Sequence, residues 1–154
     1  MAQRLPVLYN KMPCYDIVFQ QSFDGLWEEL AELGAADKRL CIVTDSTVDG
    51  LYAAQILKFL EGKCRKAVKY VFPAGEEHKN LDTVRDVYRF LIEEGFDRKD
   101  MLLALGGGVC GDLTGFVAAT YLRGIDFVQI PTTLLAQADS SIAVSYTHLR
   151  AHET

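Results

Sequence analysis

Short apolar runs alternate with longer segments of helical periodicity along most of this chain, and this alternation limits the folds that it can adopt. Residues 40–44, 101–105 and 127–130 are nearly continuous apolar runs, and residues 67–72 are strand-like. Such runs are typical of strands that are buried on both faces of a sheet. Between them, apolar residues recur at helical spacing. The alternation predicts an α/β fold in which helices cover both faces of a parallel sheet.

Several boundaries of these elements follow from turn and capping residues. The first twenty residues have an extended pattern. Ser22 is the expected N-cap of the first helix, which should end near Gly34. Asn80 is expected to cap a later helix whose core face carries Leu81, Val84, Tyr88 and Leu91. A helix after residue 107 is expected to run through Leu122.

Composition and charge exclude several classes of protein. The 154 residues include 16 basic and 21 acidic side chains, with a formal net charge of −5, which argues against broad binding to nucleic acid or to an anionic membrane. No apolar run approaches the roughly 18 residues of a membrane span, because Asp100 and Asp112 interrupt the most apolar region. The start lacks the apolar stretch of a signal peptide. The four cysteines form no Cys-x-x-Cys pair, so we expect a cytoplasmic protein with reduced thiols.

A glycine-rich segment, Gly-Gly-Gly-Val-Cys-Gly-Asp at 106–112, directly follows the apolar run at 101–105. Glycine lets the backbone turn sharply and lets a phosphate approach without a Cβ in the way. The helix that the segment opens offers unpaired N–H groups and the positive end of its dipole. The spacing of Gly106, Gly108 and Gly111 matches Gly-x-Gly-x-x-Gly, but a tight structural turn has the same spacing. A diphosphate is the ligand that such a turn would favour.

Polar residues also follow the other predicted strands. Asp45 ends the run 40–44, where its carboxylate either accepts hydrogen bonds from a ribose or caps the next helix. Residues 73–79 follow the next run and are either part of a nucleotide site or a solvated, charged loop. Pro-Thr-Thr at 131–133 follows the run 127–130. Because the carboxyl ends of parallel strands meet at one edge of a sheet, these loops predict a polar site there.

Three blocks of sequence resemble the N-terminal domain of the 3-dehydroquinate synthases, a family of sugar-phosphate cyclases. The blocks are Ala-Leu-Gly-Gly-Gly-Val-Cys-Gly-Asp-Leu-Thr-Gly-Phe at 104–116, Tyr-Leu-Arg-Gly at 121–124 and Gln-Ile-Pro-Thr-Thr-Leu-Leu-Ala-Gln-Ala-Asp-Ser-Ser at 129–141. Gly-Glu-x-x-Lys at 75–79 and the strand end at Asp45 fit the same family. The resemblance runs from near residue 15 to Ile142. It implies a Rossmann-like NAD-binding domain, which in the family precedes a helical metal-binding domain that is absent here.

The resemblance implies an enzyme that converts 3-deoxy-arabino-heptulosonate 7-phosphate to 3-dehydroquinate and phosphate in the shikimate pathway. It implies NAD as a tightly held cofactor and zinc or cobalt in the intact enzyme. The implied partners are a sugar-phosphate substrate and, for the intact enzyme, a second copy in a homodimer.

The resemblance also implies roles for individual residues. Asp139 resembles a catalytic residue shared between cofactor and substrate, and Arg123 resembles the arginine that binds the substrate phosphate. The implied cofactor contacts are Asp45, Thr47, Glu76, Lys79, Gly107, Gly108, Val109, Asp112, Thr132, Thr133 and Ser140. None of these residues is implied to bind metal.

The last twelve residues, 143–154, depart from the family pattern. In the family, Gly-Gly-Lys-Thr with an essential lysine follows the position of Ile142, whereas this chain continues Ala-Val-Ser-Tyr-Thr-His-Leu-Arg, which resembles one reading frame of a sequencing adapter. We therefore expect residues 1–142 to form an incomplete NAD-binding domain and residues 143–154 to be an unrelated tail. His148 and His152 in that tail have the spacing of a zinc pair, but a chance occurrence is favoured. The fragment alone is expected to be inactive.

Three other functions stay open at this point. The chain is similar in pattern to other sugar-phosphate cyclases, and the residues that separate these enzymes lie mostly beyond Ile142. Alcohol and glycerol dehydrogenases share the glycine turn, but the Ala-Gln-Ala-Asp-Ser-Ser run after residue 135 counts against them. The third alternative is a non-catalytic nucleotide-binding module.

Overall fold

A computed structural model describes residues 3–137 of the chain. In chain order, the elements are β1 (Gln3–Tyr9), β2 (Met12–Phe19), α1 (Leu26–Glu32), β3 (Arg39–Asp45), α2 (Ser46–Val48), α3 (Ala54–Leu60), β4 (Lys66–Phe72), α4 (Leu81–Glu93), β5 (Met101–Gly106), α5 (Gly108–Thr120) and β6 (Asp126–Pro131). A π-helical turn over Asp49–Ala53 joins α2 to α3.

Four of the strands form the predicted parallel sheet, in the order β4-β3-β5-β6. Helices α4 and α5 cover one face, where they share a core with β3 and β5. Helices α1 and α3 cover the other face in a second core. The prediction of an α/β fold with helices on both faces of a parallel sheet is therefore confirmed.

The central strands are apolar because both of their faces are covered. On β3, Cys41 and Val43 point into the core under α4 and α5, whereas Leu40 and Ile42 point into the core under α1 and α3. All four side chains are fully buried. Every residue of β5 is buried as well. A strand buried in this way cannot show the alternation of a half-exposed strand, which is why the sequence has continuous apolar runs at these positions.

The order of the strands creates a switch point between β3 and β5. The chain leaves β3 for the outer strand β4 and then crosses back to β5 on the other side of β3. The helix after β3 and the helix after β5 consequently lie on opposite faces of the sheet. In open α/β sheets, ligands bind in the crevice at the carboxyl ends of the two strands that flank such a point.

The first two strands form a separate antiparallel hairpin, as the extended pattern of the first twenty residues predicts. Arg4 joins this hairpin to α1 through ion pairs with Glu29 and Glu32, at 2.5 and 3.2 Å. Within residues 3–137, no helix is long and apolar enough to cross a membrane.

The first helix begins later than the sequence predicts. Ser22 is not its N-cap, because α1 starts at Leu26 with Gly25 in the capping position. The Ser22 hydroxyl instead accepts a hydrogen bond from the Asp24 amide at 3.3 Å. The turn that follows brings Phe23 against the core shared by α1 and α3, so tertiary packing decides where the helix starts. The expected end is confirmed, since Gly34 has the left-handed φ of 83°.

Two other helical predictions also need correction. Asn80 caps α4 as predicted, with its side chain accepting a hydrogen bond from the Thr83 amide at 2.9 Å, but Leu81 is 67% exposed. The first residue of the helix is therefore turned away from the sheet, and the buried face consists of Thr83, Val84, Val87 and Leu91, with Tyr88 only partly buried. Helix α5 ends at Thr120, because Leu122 has a positive φ of 49° that no right-handed helix accommodates.

Thr44 offers a direct test of the packing beneath the switch point. Its side chain is fully buried, and within residues 3–137 its hydroxyl has no hydrogen-bond partner. We expect Thr44→Val to raise the free energy of unfolding by about 1 kcal/mol in urea denaturation, because the methyl group removes the cost of burying an unpaired hydroxyl. The control is Thr83→Val, which should lower that free energy by about 1 kcal/mol, since the Thr83 hydroxyl bonds to Asn80 at 3.1 Å. Destabilisation of both variants would contradict the prediction.

Candidate functional site

The glycine-rich segment forms a corner between β5 and α5. Gly107 occupies the N-cap position of α5, and as a glycine it has no side chain with which to cap the helix. The Gly111 amide makes the first intrahelical bond, to the Gly107 carbonyl at 3.0 Å. The N–H groups of the first helical turn therefore have no intrahelical acceptor. Together with the positive end of the helix dipole, they favour an anion at this corner.

Glycine is needed at this corner because other atoms approach the backbone closely. A Cβ on Gly106 would lie 2.8 Å from the Cβ of Cys110, and a Cβ on Gly107 would lie 3.2 Å from the Cγ2 of Thr133. A Cβ on Gly111 would lie 2.9 Å from the Oε1 of Gln129 on β6. These three glycines let α5 start close to both β5 and β6.

The thiol of Cys110 ties the first turn of α5 to the two central strands. Its Sγ donates towards the Val43 carbonyl of β3 at 3.0 Å and lies 3.4 Å from the Leu105 carbonyl of β5. Burial raises the pKa of the Cys110 thiol to about 12. The thiol is therefore protonated at neutral pH and can donate a hydrogen bond, so Cys110 contributes to the packing of the glycine corner.

Asp45 combines the two roles that its sequence position suggests. Its Oδ1 accepts hydrogen bonds from the amides of Thr47 and Val48 at 2.9 and 2.8 Å, so it caps the helix after β3. Its Oδ2 has no hydrogen-bond partner within residues 3–137 and lies 3.9 Å from the position of a Cβ on Gly106. One carboxylate oxygen thus faces the glycine corner across the switch point.

Two ion pairs, both made by Lys79, join three of the predicted cofactor residues. The Nζ of Lys79 lies 2.9 Å from the Oδ2 of Asp112 on α5 and 3.7 Å from the Oε1 of Glu76. The hydrogen bond to Asp112 raises the pKa of Lys79 above its ordinary value, against the opposing effect of burial. The lysine is therefore a stable cation next to the first turns of α5.

The segment after β6 completes this edge of the sheet. The Thr132 amide donates to the Gly106 carbonyl at 2.9 Å, and the Thr133 hydroxyl accepts a hydrogen bond from the Ala136 amide at 3.1 Å. Of the remaining predicted residues, Gly108 and Val109 form the first turn of α5, and Thr47 is exposed at the start of α2. These residues all follow the carboxyl ends of strands, as the sequence predicts.

Arg123 does not lie with this group. It belongs to the turn Tyr121–Arg123 that follows α5, at the amino end of the sheet. There it lines an open cavity with Leu122 and with residues 97–99, which precede β5. The structure therefore separates Arg123 from the glycine corner by the length of the sheet. Asp139 and Ser140, together with the predicted tail 143–154, lie outside the described residues.

Sequence reasoning missed two side chains that shape the site. The Ser46 hydroxyl accepts a hydrogen bond from the Ala74 amide at 3.0 Å, which links the loop after β3 to the loop after β4. Gln129 contacts the glycine corner from β6. The position of Ser46 between two predicted cofactor residues was the one available signal. In the part of the chain that the structure describes, no group of three or more His, Cys, Asp or Glu side chains is placed to hold a metal ion.

Comparison with known proteins identifies the family. The family model for the N-terminal domain of 3-dehydroquinate synthase matches residues 69–147. The chain belongs to the 3-dehydroquinate synthase family. The synthase of Acetivibrio thermocellus is 55% identical over 104 residues, which cover 68% of this chain and 29% of that protein. The synthase of Streptococcus suis is 48% identical over 134 residues, which cover 83% of this chain and 36% of that protein. The chain thus spans about a third of the length of these relatives.

Solved structures of sugar-phosphate cyclases share the fold. The 2-epi-5-epi-valiolone synthase of Streptomyces hygroscopicus, solved with NAD+ and Zn2+ bound, is 36% identical with a TM-score of 0.65. The match covers 74% of this chain and 32% of that one. A 2-deoxy-scyllo-inosose synthase has a TM-score of 0.73 at 23% identity, over 88% of this chain and 37% of that one. The likeness to the 2-deoxy-scyllo-inosose synthase supports a shared fold and nothing more.

The glycine corner predicts the effect of adding one methyl group. We expect Gly106→Ala to lower the free energy of unfolding by about 1–3 kcal/mol, because its Cβ would overlap Cys110. Gly50→Ala is the matched control, since nothing lies within 4 Å of a Cβ at that helical position. The control should leave stability unchanged or raise it by up to about 1 kcal/mol. Denaturant unfolding of both variants makes the comparison, and equal stability of Gly106→Ala and wild type would contradict the close approach.

Proposed function

We propose that residues 1–142 are the NAD-binding portion of a 3-dehydroquinate synthase. The single observation that carries this proposal is the start of α5 at Gly107 beside the switch point, near the Oδ2 of Asp45, which has no hydrogen-bond partner within residues 3–137. A glycine corner, an anion-favouring helix start and a neighbouring carboxylate are the parts that a dinucleotide needs. Membership of the family supports the same assignment.

The residues present fit the diphosphate and the adenosine ribose of NAD. The diphosphate is proposed to accept hydrogen bonds from the amides of Gly107, Gly108 and Val109. Since the Oδ1 of Asp45 is engaged in capping, the Oδ2 is the oxygen left to accept a hydrogen bond from a ribose hydroxyl. Thr47 is proposed to assist at the exposed start of α2. Asp45 thereby holds both the helix and the ribose.

The remaining predicted contacts surround the rest of the cofactor. Glu76 and Lys79 are proposed to meet nucleotide hydroxyls and phosphate, and Asp112 to lie on the nicotinamide side. The ion pair with Asp112 offsets the charge of Lys79, and with Glu76 at 3.7 Å the three side chains carry a net charge of −1. Thr132 and Thr133 are proposed to contact the cofactor beside Gly107, with Ser140 as a further neighbour.

In the intact enzyme, bound NAD would supply reversible hydride acceptance at a ring hydroxyl of the heptulosonate phosphate. The residues of this chain hold and orient that cofactor, and Asp139 is proposed to be shared between cofactor and substrate. The described residues do not fit a metal ion, so the zinc or cobalt of the intact enzyme is proposed to be bound elsewhere, and no step is assigned to it here. The proposed compartment is the cytoplasm.

Arg123 requires a different arrangement from the other predicted site residues. A substrate phosphate that is bound beside the glycine corner is out of reach of an arginine at the amino end of the same sheet. In the homodimer proposed for the intact enzyme, Arg123 of one copy is free to meet the substrate of the other. The planar guanidinium fork of arginine suits a phosphate ligand.

Cofactor binding tests the proposal on the chain as it stands. We expect isothermal titration calorimetry to detect weak NAD binding by the 154-residue chain, and Asp45→Asn to weaken that binding at least about tenfold, because a charge-assisted hydrogen bond to the ribose is lost. Asp86→Asn makes the same change of charge on an exposed helix face and should bind NAD like wild type. Equal affinities of the two variants would count against the assignment of Asp45.

Turnover separates the proposed activity from the alternatives. We expect no phosphate release from the heptulosonate phosphate by this chain alone, and release without net NADH formation by the complete enzyme. Another sugar-phosphate cyclase, such as a relative of the 36% identical valiolone synthase, would need a different heptulose phosphate. A dehydrogenase would accumulate NADH. A non-catalytic nucleotide-binding module would neither release phosphate nor form NADH.

A further inference from the structure

The loop between β4 and α4 is attached at both of its ends to loops that follow other strands. We call residues 74–79 the β4 loop. At its start, the Ala74 amide donates to the Oγ of Ser46 at 3.0 Å. At its end, the Nζ of Lys79 contacts the Oδ2 of Asp112 at 2.9 Å. Among the hydrogen bonds and ion pairs of residues 3–137, these two join the β4 loop to the segments after β3 and β5.

The two attachments lie on either side of a sharp bend. Gly75 has a φ of 128°, and a Cβ there would lie 2.6 Å from the Oε2 of Glu77. A single turn of 3-10 helix over Glu76–His78 follows directly. The bend at Gly75 and this single turn are therefore the two structural features that connect Ala74 to Lys79.

Ser46 is itself held in place by its neighbours. The Oδ1 of Asp45 bonds to the amides of Thr47 and Val48, so the backbone on both sides of Ser46 is fixed. Its short side chain then presents the hydroxyl to Ala74. Because β3 lies between β4 and β5 in the sheet, the β4 loop passes beside the end of β3 to reach Asp112.

We propose that Ser46 is a positioning residue that sets the start of the β4 loop, so that Lys79 meets Asp112 beside the end of β3. The consequence for the cofactor rests on the proposed function, in which Lys79 and Asp112 contact NAD. The link between Ser46 and Lys79 itself does not depend on NAD. Ser46 thereby affects the cofactor site without touching the cofactor.

The link is tested first on the chain without cofactor. Ser46→Ala removes the acceptor, whereas Ser46→Thr keeps a hydroxyl at the same position. We expect Ser46→Ala to increase hydrogen exchange of the Ala74 amide about 2- to 10-fold and to return the pKa of Lys79, followed by NMR of 13C-labelled lysine, towards its ordinary value. Ser46→Thr should restore both. Ser22→Ala is the matched control, because Ser22 is also an exposed serine that accepts a backbone N–H bond, at 3.3 Å.

A double-mutant cycle then tests the effect on the site. We expect Ser46→Ala to weaken NAD binding about 2- to 10-fold in the wild-type background and to have no further effect when combined with Lys79→Met. A merely structural role would give the same loss in both backgrounds. Such additivity, or an unchanged Ala74 exchange rate and Lys79 pKa, would overturn the proposal. If wild type binds no NAD, the proposed function fails, and the measurements without cofactor still decide the role of Ser46.

Discussion

Both faces of β5 are covered by helices, and this burial determines where the chain can bind a ligand. No residue from Met101 to Gly106 is exposed, so a ligand can approach this strand only beyond its ends. At the carboxyl end, the chain must turn into α5 between two packed neighbours, with Cys110 on one side and Thr133 on the other. Glycine satisfies this steric demand, and the same turn leaves the first amides of α5 without acceptors. A packing constraint thus produces an anion-favouring corner.

The sequence predicted the sheet well because burial leaves a direct signal. The runs at 40–44 and 101–105 became β3 and β5 with shifts of about one residue at their ends. Helix starts depended on more than the local pattern. The Ser22 side chain could cap a helix, but Phe23 packs against the core and α1 begins only at Leu26. Leu81 has the right spacing for the core, yet the direction of α4 leaves it exposed.

The candidate site was predictable to the extent that parallel strands end at one edge. Asp45, Lys79 and Asp112 are brought to that edge by topology, which the strand–helix alternation already fixes. The contact between Ser46 and Ala74 depends on the exact paths of two loops, and no periodicity encodes it. For Arg123, the sequence motif predicted a site residue, but the fold places it away from the site. Its motif resembles a family block, but α5 runs back across the sheet and carries it to the amino end.

The most direct test of the diphosphate corner is an amide-resolved NMR titration of the 15N-labelled chain with ADP-ribose, which carries the diphosphate and adenosine ribose without the nicotinamide. The account predicts saturable shifts of the amides of Gly107, Gly108 and Val109, together with Asp45, and no shift at Arg98 or Arg123. Shifts that are confined to the amino end of the sheet, with unchanged glycine amides, would contradict it.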